Sequence, residues 1–134
     1  MRLVLDTNVL IAAFIARGTC HELLEHCVRE HTLVGSSFVL DEFLDKLVEK
    51  FDFSAQEAGE ARELLATRMI AVEPGTLGER ACRDADDDSI LATAVAGDCA
   101  CIVTGDKDLL VLGAFRGIDI ISPRDFWRYE SGAE

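Results

Sequence analysis

Two short apolar runs that each stop at an aspartate constrain this chain more than any other feature. Residues 2–5 lead into Asp6, and residues 101–104 lead through Gly105 into Asp106. Neither run alternates polar with apolar positions, which suits strands buried on both faces of a parallel sheet. Helical spacing fills the intervals. Val9, Leu10, Ala13 and Phe14 recur at helical distance after Asp6, and Leu23, Leu24, Cys27 and Val28 share one face of a helix over 20–29. A strand follows over 32–35. Leu40, Phe43, Leu44, Leu47, Val48 and Phe51 then fall at i, i+3, i+4, i+7, i+8 and i+11, an amphipathic helix that leaves Glu42 off the apolar stripe. Ser54 with Glu57 reads as a capping box for a helix through about residue 66, and a third strand is expected over 69–72.

Pro74-Gly75 interrupts the pattern, and a charged loop runs to residue 84. Asp86-Asp87-Asp88 opens the next helix, with Ile90, Leu91, Ala94 and Val95 apolar and Gly97 at its end. After the strand at 101–104 one more is expected over 118–121, and Ser122-Pro123 starts a last helix carrying Phe126 and Trp127. Strands alternating with helices imply an α/β fold with a parallel sheet covered on both faces.

The 134 residues suit a single domain, 1–134, with neither an internal repeat nor a linker. With 49% hydrophobic and 28% charged residues the composition is that of a compact soluble protein. The longest apolar run, residues 9–16, is far shorter than the roughly 20 residues a membrane-spanning helix needs. No basic, small-residue leader pattern precedes Asp6, so a cytoplasmic location is expected. Five cysteines, an odd set without Cys-x-x-Cys spacing, argue against both a disulfide framework and a zinc site and for reduced thiols. Thirteen basic against 25 acidic residues leave a net charge of −12, which opposes nucleic-acid binding at long range. A cation bound among clustered carboxylates reverses that sign locally.

In an open parallel sheet the chemistry gathers beyond the carboxyl ends of the strands. Asp6 and Asp106 stand there, and Asp88 and Glu42, each early in a helix, can point toward the same edge. Taken singly, each acid has a structural explanation: Asp6 can cap the first helix, Asp86 or Asp88 can cap a later one, and Glu42 can belong to the solvated face shared with Asp41 and Asp45. Taken together, four converging carboxylates raise one another's pKa and call for a divalent cation. Oxygen-only ligands favour Mg²⁺ or Mn²⁺.

The sequences Val4-Leu5-Asp6-Thr7-Asn8-Val9-Leu10, the Glu42 helix, Asp88-Ser89-Ile90-Leu91-Ala92-Thr93-Ala94 and Ile102-Val103-Thr104-Gly105-Asp106-Lys107-Asp108-Leu109 resemble the ordered motifs of the PIN-domain nucleases. The resemblance runs from about Leu3 to Trp127 and is nearest to the small toxins of type II toxin–antitoxin pairs. It implies an α/β/α sandwich with a central, mostly parallel sheet and a Mg²⁺- or Mn²⁺-dependent endoribonuclease. It also implies Asp6, Glu42 and Asp88 as the acidic triad, Asp106 as the fourth acid, and Asn8 and Thr104 as hydrogen-bonding supports for the carboxylates. Asp88 is chosen within the triple aspartate because Ile90, Leu91, Ala92 and Ala94 follow it at the family's spacing. Asp86, Asp87 and Asp108 are left as outer groups, with a helix-cap role equally open for Asp108.

The expected chemistry is metal-assisted attack of water on an RNA phosphodiester, with Glu42 either binding a second ion or acting as base. His21, His26 and His31 lie away from all four motifs and are expected to face solvent or a partner. Arg17, Arg80, Arg83 and Lys107 neighbour the motifs and are open either to phosphate contact or to ordinary solvation. The resemblance further implies a cognate antitoxin, laying a segment with a basic side chain near the acidic cleft, and a homodimer. A competing class is a catalytically silent protein whose acidic cleft docks a basic partner segment. Receiver domains and dehalogenase-like phosphatases fit less well, because Asp6 is single and Asn8 stands where Asp-x-Asp needs its second acid.

Overall fold

The computed structural model describes residues 1–132. Its elements alternate as the spacing predicts: β1 (Arg2–Leu5), α1 (Thr7–Ile15), α2 (Thr19–Glu30), β2 (Thr32–Ser36), α3 (Ser37–Phe51), α4 (Ala55–Ala66), β3 (Ile70–Val72), α5 (Ala85–Ala96), β4 (Cys101–Val103), α6 (Lys107–Leu110), β5 (Ala114–Phe115), β6 (Ile118–Ile121) and α7 (Pro123–Glu130). The six strands form one sheet in the order β3-β2-β1-β4-β6-β5. All neighbouring pairs are parallel except β5 with β6. The chain therefore winds outward from β1 to β3, then returns to lay β4 on the other side of β1. The crevice where the winding reverses is where open α/β sheets hold their sites.

Strand β1 sits at the centre of the core, with Leu3, Val4 and Leu5 buried. Helix starts follow local capping chemistry. Ser36 accepts from the Val39 N–H at the head of α3, and Ser54 with Glu57 completes a reciprocal capping box at α4. Ser122 caps α7 with Pro123 in its first turn. Asp84, rather than a member of the triple aspartate, caps α5 by accepting from Asp86 N at 2.8 Å.

Two elements escape the periodicity. α6 is a single turn and β5 is two residues, both too short to show a repeat. β5 turns back onto β6 through Arg116 and Gly117, whose φ values of 50° and 82° give the left-handed pair that a tight two-residue hairpin needs. All five cysteines are free thiols, four of them buried.

The turn from α5 into β4 depends on Gly97, whose carbonyl accepts from Arg2 Nε at 2.6 Å. A β-carbon there would stand 2.5 Å from Val34 Cγ1 and 3.3 Å from the Thr93 carbonyl. At Gly35 the obstruction is the thioether of Met69, the far end of a flexible side chain. Gly97→Ala is therefore expected to lower the unfolding free energy in urea by about 1–3 kcal/mol, and Gly35→Ala by clearly less.

Candidate active site

Asp6 lies at the carboxyl end of β1, caps α1 and is only 6% exposed. Its Oδ1 accepts from Thr7 N at 2.7 Å, and its Oδ2 accepts the Thr104 hydroxyl proton, also at 2.7 Å. The same Thr104 oxygen accepts from Asp106 N at 2.9 Å. One buried hydroxyl thus joins the acid after β1 to the backbone of the acid after β4. Burial pushes the Asp6 carboxyl above its ordinary pKa, against the hydrogen bonds from Thr104 and Thr7. Asp106 caps α6, with Oδ1 accepting from Asp108 N at 2.7 Å.

Helix α5 brings Asp87, not Asp88, to this group. Asp87 is 6% exposed and lines a narrow polar cleft with Asp6, Asn8, Glu42, Lys46, Asp84, Asp86 and Asp106. Asp88 points elsewhere. Its Oδ1 accepts from Ala81 N at 3.2 Å and Cys82 N at 2.8 Å, and it lines a separate open cavity with Gly75, Leu77 and Arg80. The expectation for Asp88 is corrected by helix geometry, since neighbouring residues diverge by about 100° around an α-helix. A signal for Asp87 was present in the sequence. Asp87, Ile90, Leu91 and Ala94 fall at i, i+3, i+4 and i+7, and all four are buried.

Desolvation, with Asp106, Asp84 and Asp6 close by, pushes the Asp87 carboxyl up to about 7 from an ordinary 3.8. Among the described residues only two buried side-chain oxygens lack a hydrogen-bond partner, Thr7 Oγ1 and Asp87 Oδ2.

Glu42 reaches the cleft from α3. Burial raises its pKa, Thr7 and Lys46 oppose the rise, and Asp86 and Asp6 add to it. Lys46, one turn on from Glu42, was not anticipated from the motifs. Its Nζ donates to Asn8 Oδ1 at 3.2 Å, so Asn8 holds a cation at the cleft rather than a carboxylate. The end of β2, where Ser36 caps α3, is linked to α5 by the buried pair Ser36 and Thr93, whose hydroxyl oxygens lie 2.9 Å apart. Asp108 is bound to Arg83 Nη2 at 2.8 Å, while the Arg80 guanidinium donates to the carbonyls of Cys82 and Arg83.

Carboxylate oxygens of Asp87, Asp106 and Asp108 lie within 4.8 Å of one another. An all-oxygen donor set, a buried carboxylate oxygen with no partner and like charges within contact range all fit a hard divalent cation. Asp6, Glu42, Asp87 and Asp106 all line the cleft, and Asp108 joins Asp87 and Asp106 from outside that lining.

With 15% identity and a TM-score of 0.68, the fold matches the crystal structure of VapBC2 from Rickettsia felis bound to a promoter DNA fragment, over 91% of this chain and 98% of that one. It matches VapBC-1 from nontypeable Haemophilus influenzae at 17% identity and a TM-score of 0.66, over 92% and 99%. FitAcB from Neisseria gonorrhoeae matches at 16% identity and a TM-score of 0.57, over 91% and 98%. No curated protein matches the chain significantly. The family profile of the PIN domain matches residues 2–108, a span that holds β1 with Asp6, the Glu42 helix, Asp87 and the β4 end with Asp106, and the chain belongs to the PIN-domain family.

Proposed function

We propose that the protein is a divalent-metal-dependent endoribonuclease acting as the toxin of a toxin–antitoxin pair. The observation that carries this reading is the meeting of Asp6, Glu42, Asp87 and Asp106 in one cleft at the switch point of the sheet. Family membership supports nuclease chemistry, and the VapBC and FitAB neighbours support an antitoxin partner. Asp6, Asp87 and Asp106 would hold Mg²⁺ or Mn²⁺, with Glu42 across the cleft. When bound, such an ion lowers the pKa of a coordinated water and offsets phosphate charge.

The remaining work falls to the chain itself. Thr104 and the Thr7 N–H fix Asp6 in one orientation, so that its carboxylate need not reorganise when a substrate arrives. Glu42, with a carboxyl raised by burial, is suited to take a proton from an attacking water. Lys46, oriented by Asn8, offers a positive end to a phosphate oxygen in a chain whose net charge of −12 otherwise repels RNA.

The acidic cleft also suits a basic segment of a partner protein, which is the reading of a silent binding domain. Asp6→Asn separates the two: loss of RNA cleavage and toxicity with partner binding retained supports the enzyme, while toxicity unchanged by the substitution removes it.

Asp87→Asn is expected to reduce cleavage of a sequenced RNA pool by about 10²-fold or more. Asp88→Asn should leave most of that activity and instead speed amide exchange at residues 81 and 82, whose N–H groups the carboxylate holds. Equal loss in both variants would count against Asp87 as the central acid.

Titration of Asp87 sets a pH dependence with a defined sign. Its folded-state pKa of about 7 lies above its ordinary 3.8, so the folded protein without metal binds a proton that the unfolded chain releases. This contribution is fully present below 3.8 and is lost as pH rises through about 7. Melting temperature in chelator should therefore fall across that interval, and Asp87→Asn should flatten the fall. Calorimetric affinity for Mn²⁺ should rise over the same interval, because the cation must displace that proton.

A further inference from the structure

Outside the acidic cleft, three metal-type ligands from two helices meet around one point. His26 lies on α2, His31 caps the C-terminus of that helix, and Glu130 ends α7. Both imidazoles present Nε2 to the same oxygen, Glu130 Oε2, with His31 at 2.5 Å. The three ligand atoms lie within 4.8 Å of one another. The side chains of His26, His31 and Glu130 are 20%, 13% and 25% exposed, partly desolvated yet open on one side.

We propose that His26, His31 and Glu130 form a binding site for a divalent transition-metal ion of the zinc type, which clamps α7 onto α2. Two imidazole nitrogens and one carboxylate oxygen are a zinc donor set that leaves a fourth position for water. It differs in kind from the all-oxygen cleft, where the hard Mg²⁺ is favoured. Tetrahedral ligands at about 2.0–2.1 Å from zinc stand roughly 3.4 Å from one another. The His31 Nε2–Glu130 Oε2 separation of 2.5 Å has to lengthen by about 1 Å to reach that spacing.

The rings are already held. Trp127 packs 4.9 Å from His26, Phe126 stands edge-on at 6.4 Å from His26 and 6.1 Å from His31, and the two imidazoles are 5.6 Å apart. His31 Nδ1 lies 3.1 Å from the Met1 amino nitrogen, an outer partner of the kind that sets a ligating imidazole's tautomer. With metal on Nε2 the ring proton sits on Nδ1. Without metal, two imidazole N–H groups share a single carboxylate oxygen; the ion replaces both protons and ties α2 to α7 through one centre.

The test is calorimetric titration of Zn²⁺ in excess Mg²⁺, which keeps the acidic cleft occupied. The unsubstituted chain and an Asp6→Asn/Asp87→Asn double variant should each bind one Zn²⁺, whereas Glu130→Gln and His26→Gln should weaken binding more than about tenfold. Zn²⁺ binding that disappears in the double variant, or that survives Glu130→Gln and His26→Gln unchanged, would overturn the proposal. Circular dichroism checks that the variants fold. If either does not, amide exchange of the unsubstituted chain decides, with Zn²⁺ expected to slow exchange throughout α7 and an unchanged rate refuting the clamp.

Discussion

Like charges brought together at low dielectric must be offset, and that requirement governs the centre of this molecule. The offset begins in the backbone. Thr7 N–H and the Thr104 hydroxyl each hold one oxygen of Asp6, and Thr104 in turn receives the N–H of Asp106. Because Thr104 directly follows β4 and Asp6 directly follows β1, the register of these two strands is also the register of the acids. A slip in the pairing would separate the hydroxyl from its carboxylate.

The helices complete the arrangement from outside the sheet. α3 supplies Glu42 and α5 supplies Asp87, and the buried contact of Ser36, which caps α3 at the end of β2, with Thr93 ties the start of α3 to α5. Asp87 is the least compensated member, with one oxygen unpartnered and a carboxyl raised to about 7. A chain optimised for stability alone would place an apolar side chain there. The retention of an acid at a buried stripe position, beside three others, is a local conflict of the sort that functional sites carry.

Much of this was legible in the sequence because the main helices and strands each have a strong period. The apolar stripe of α3, the capping box at Ser54 and the continuous runs of β1 and β4 led to the α/β architecture and to Asp6, Glu42 and Asp106 at one edge. The triple aspartate was harder. Three identical residues in a row carry no chemical contrast, and only the phase of Ile90, Leu91 and Ala94 distinguishes the buried Asp87 from Asp88, which holds the preceding loop. Lys46 was hidden for another reason, being one of several charges on a helix whose orientation depends on tertiary packing. The meeting of Glu130 with His26 and His31 joins residues about a hundred positions apart in the chain, and no local pattern announces it.

The two edges of the sheet bear on how the protein behaves in a crowded solution. β3 spans only three residues and β5 only two, and β5 runs against the direction of the rest. Short edges offer few unpaired backbone groups to a strand from another molecule, although Ile70 on β3 is 49% exposed. A net charge of −12 adds mutual repulsion between copies. Edge-to-edge strand pairing is thereby discouraged by geometry and by charge at once.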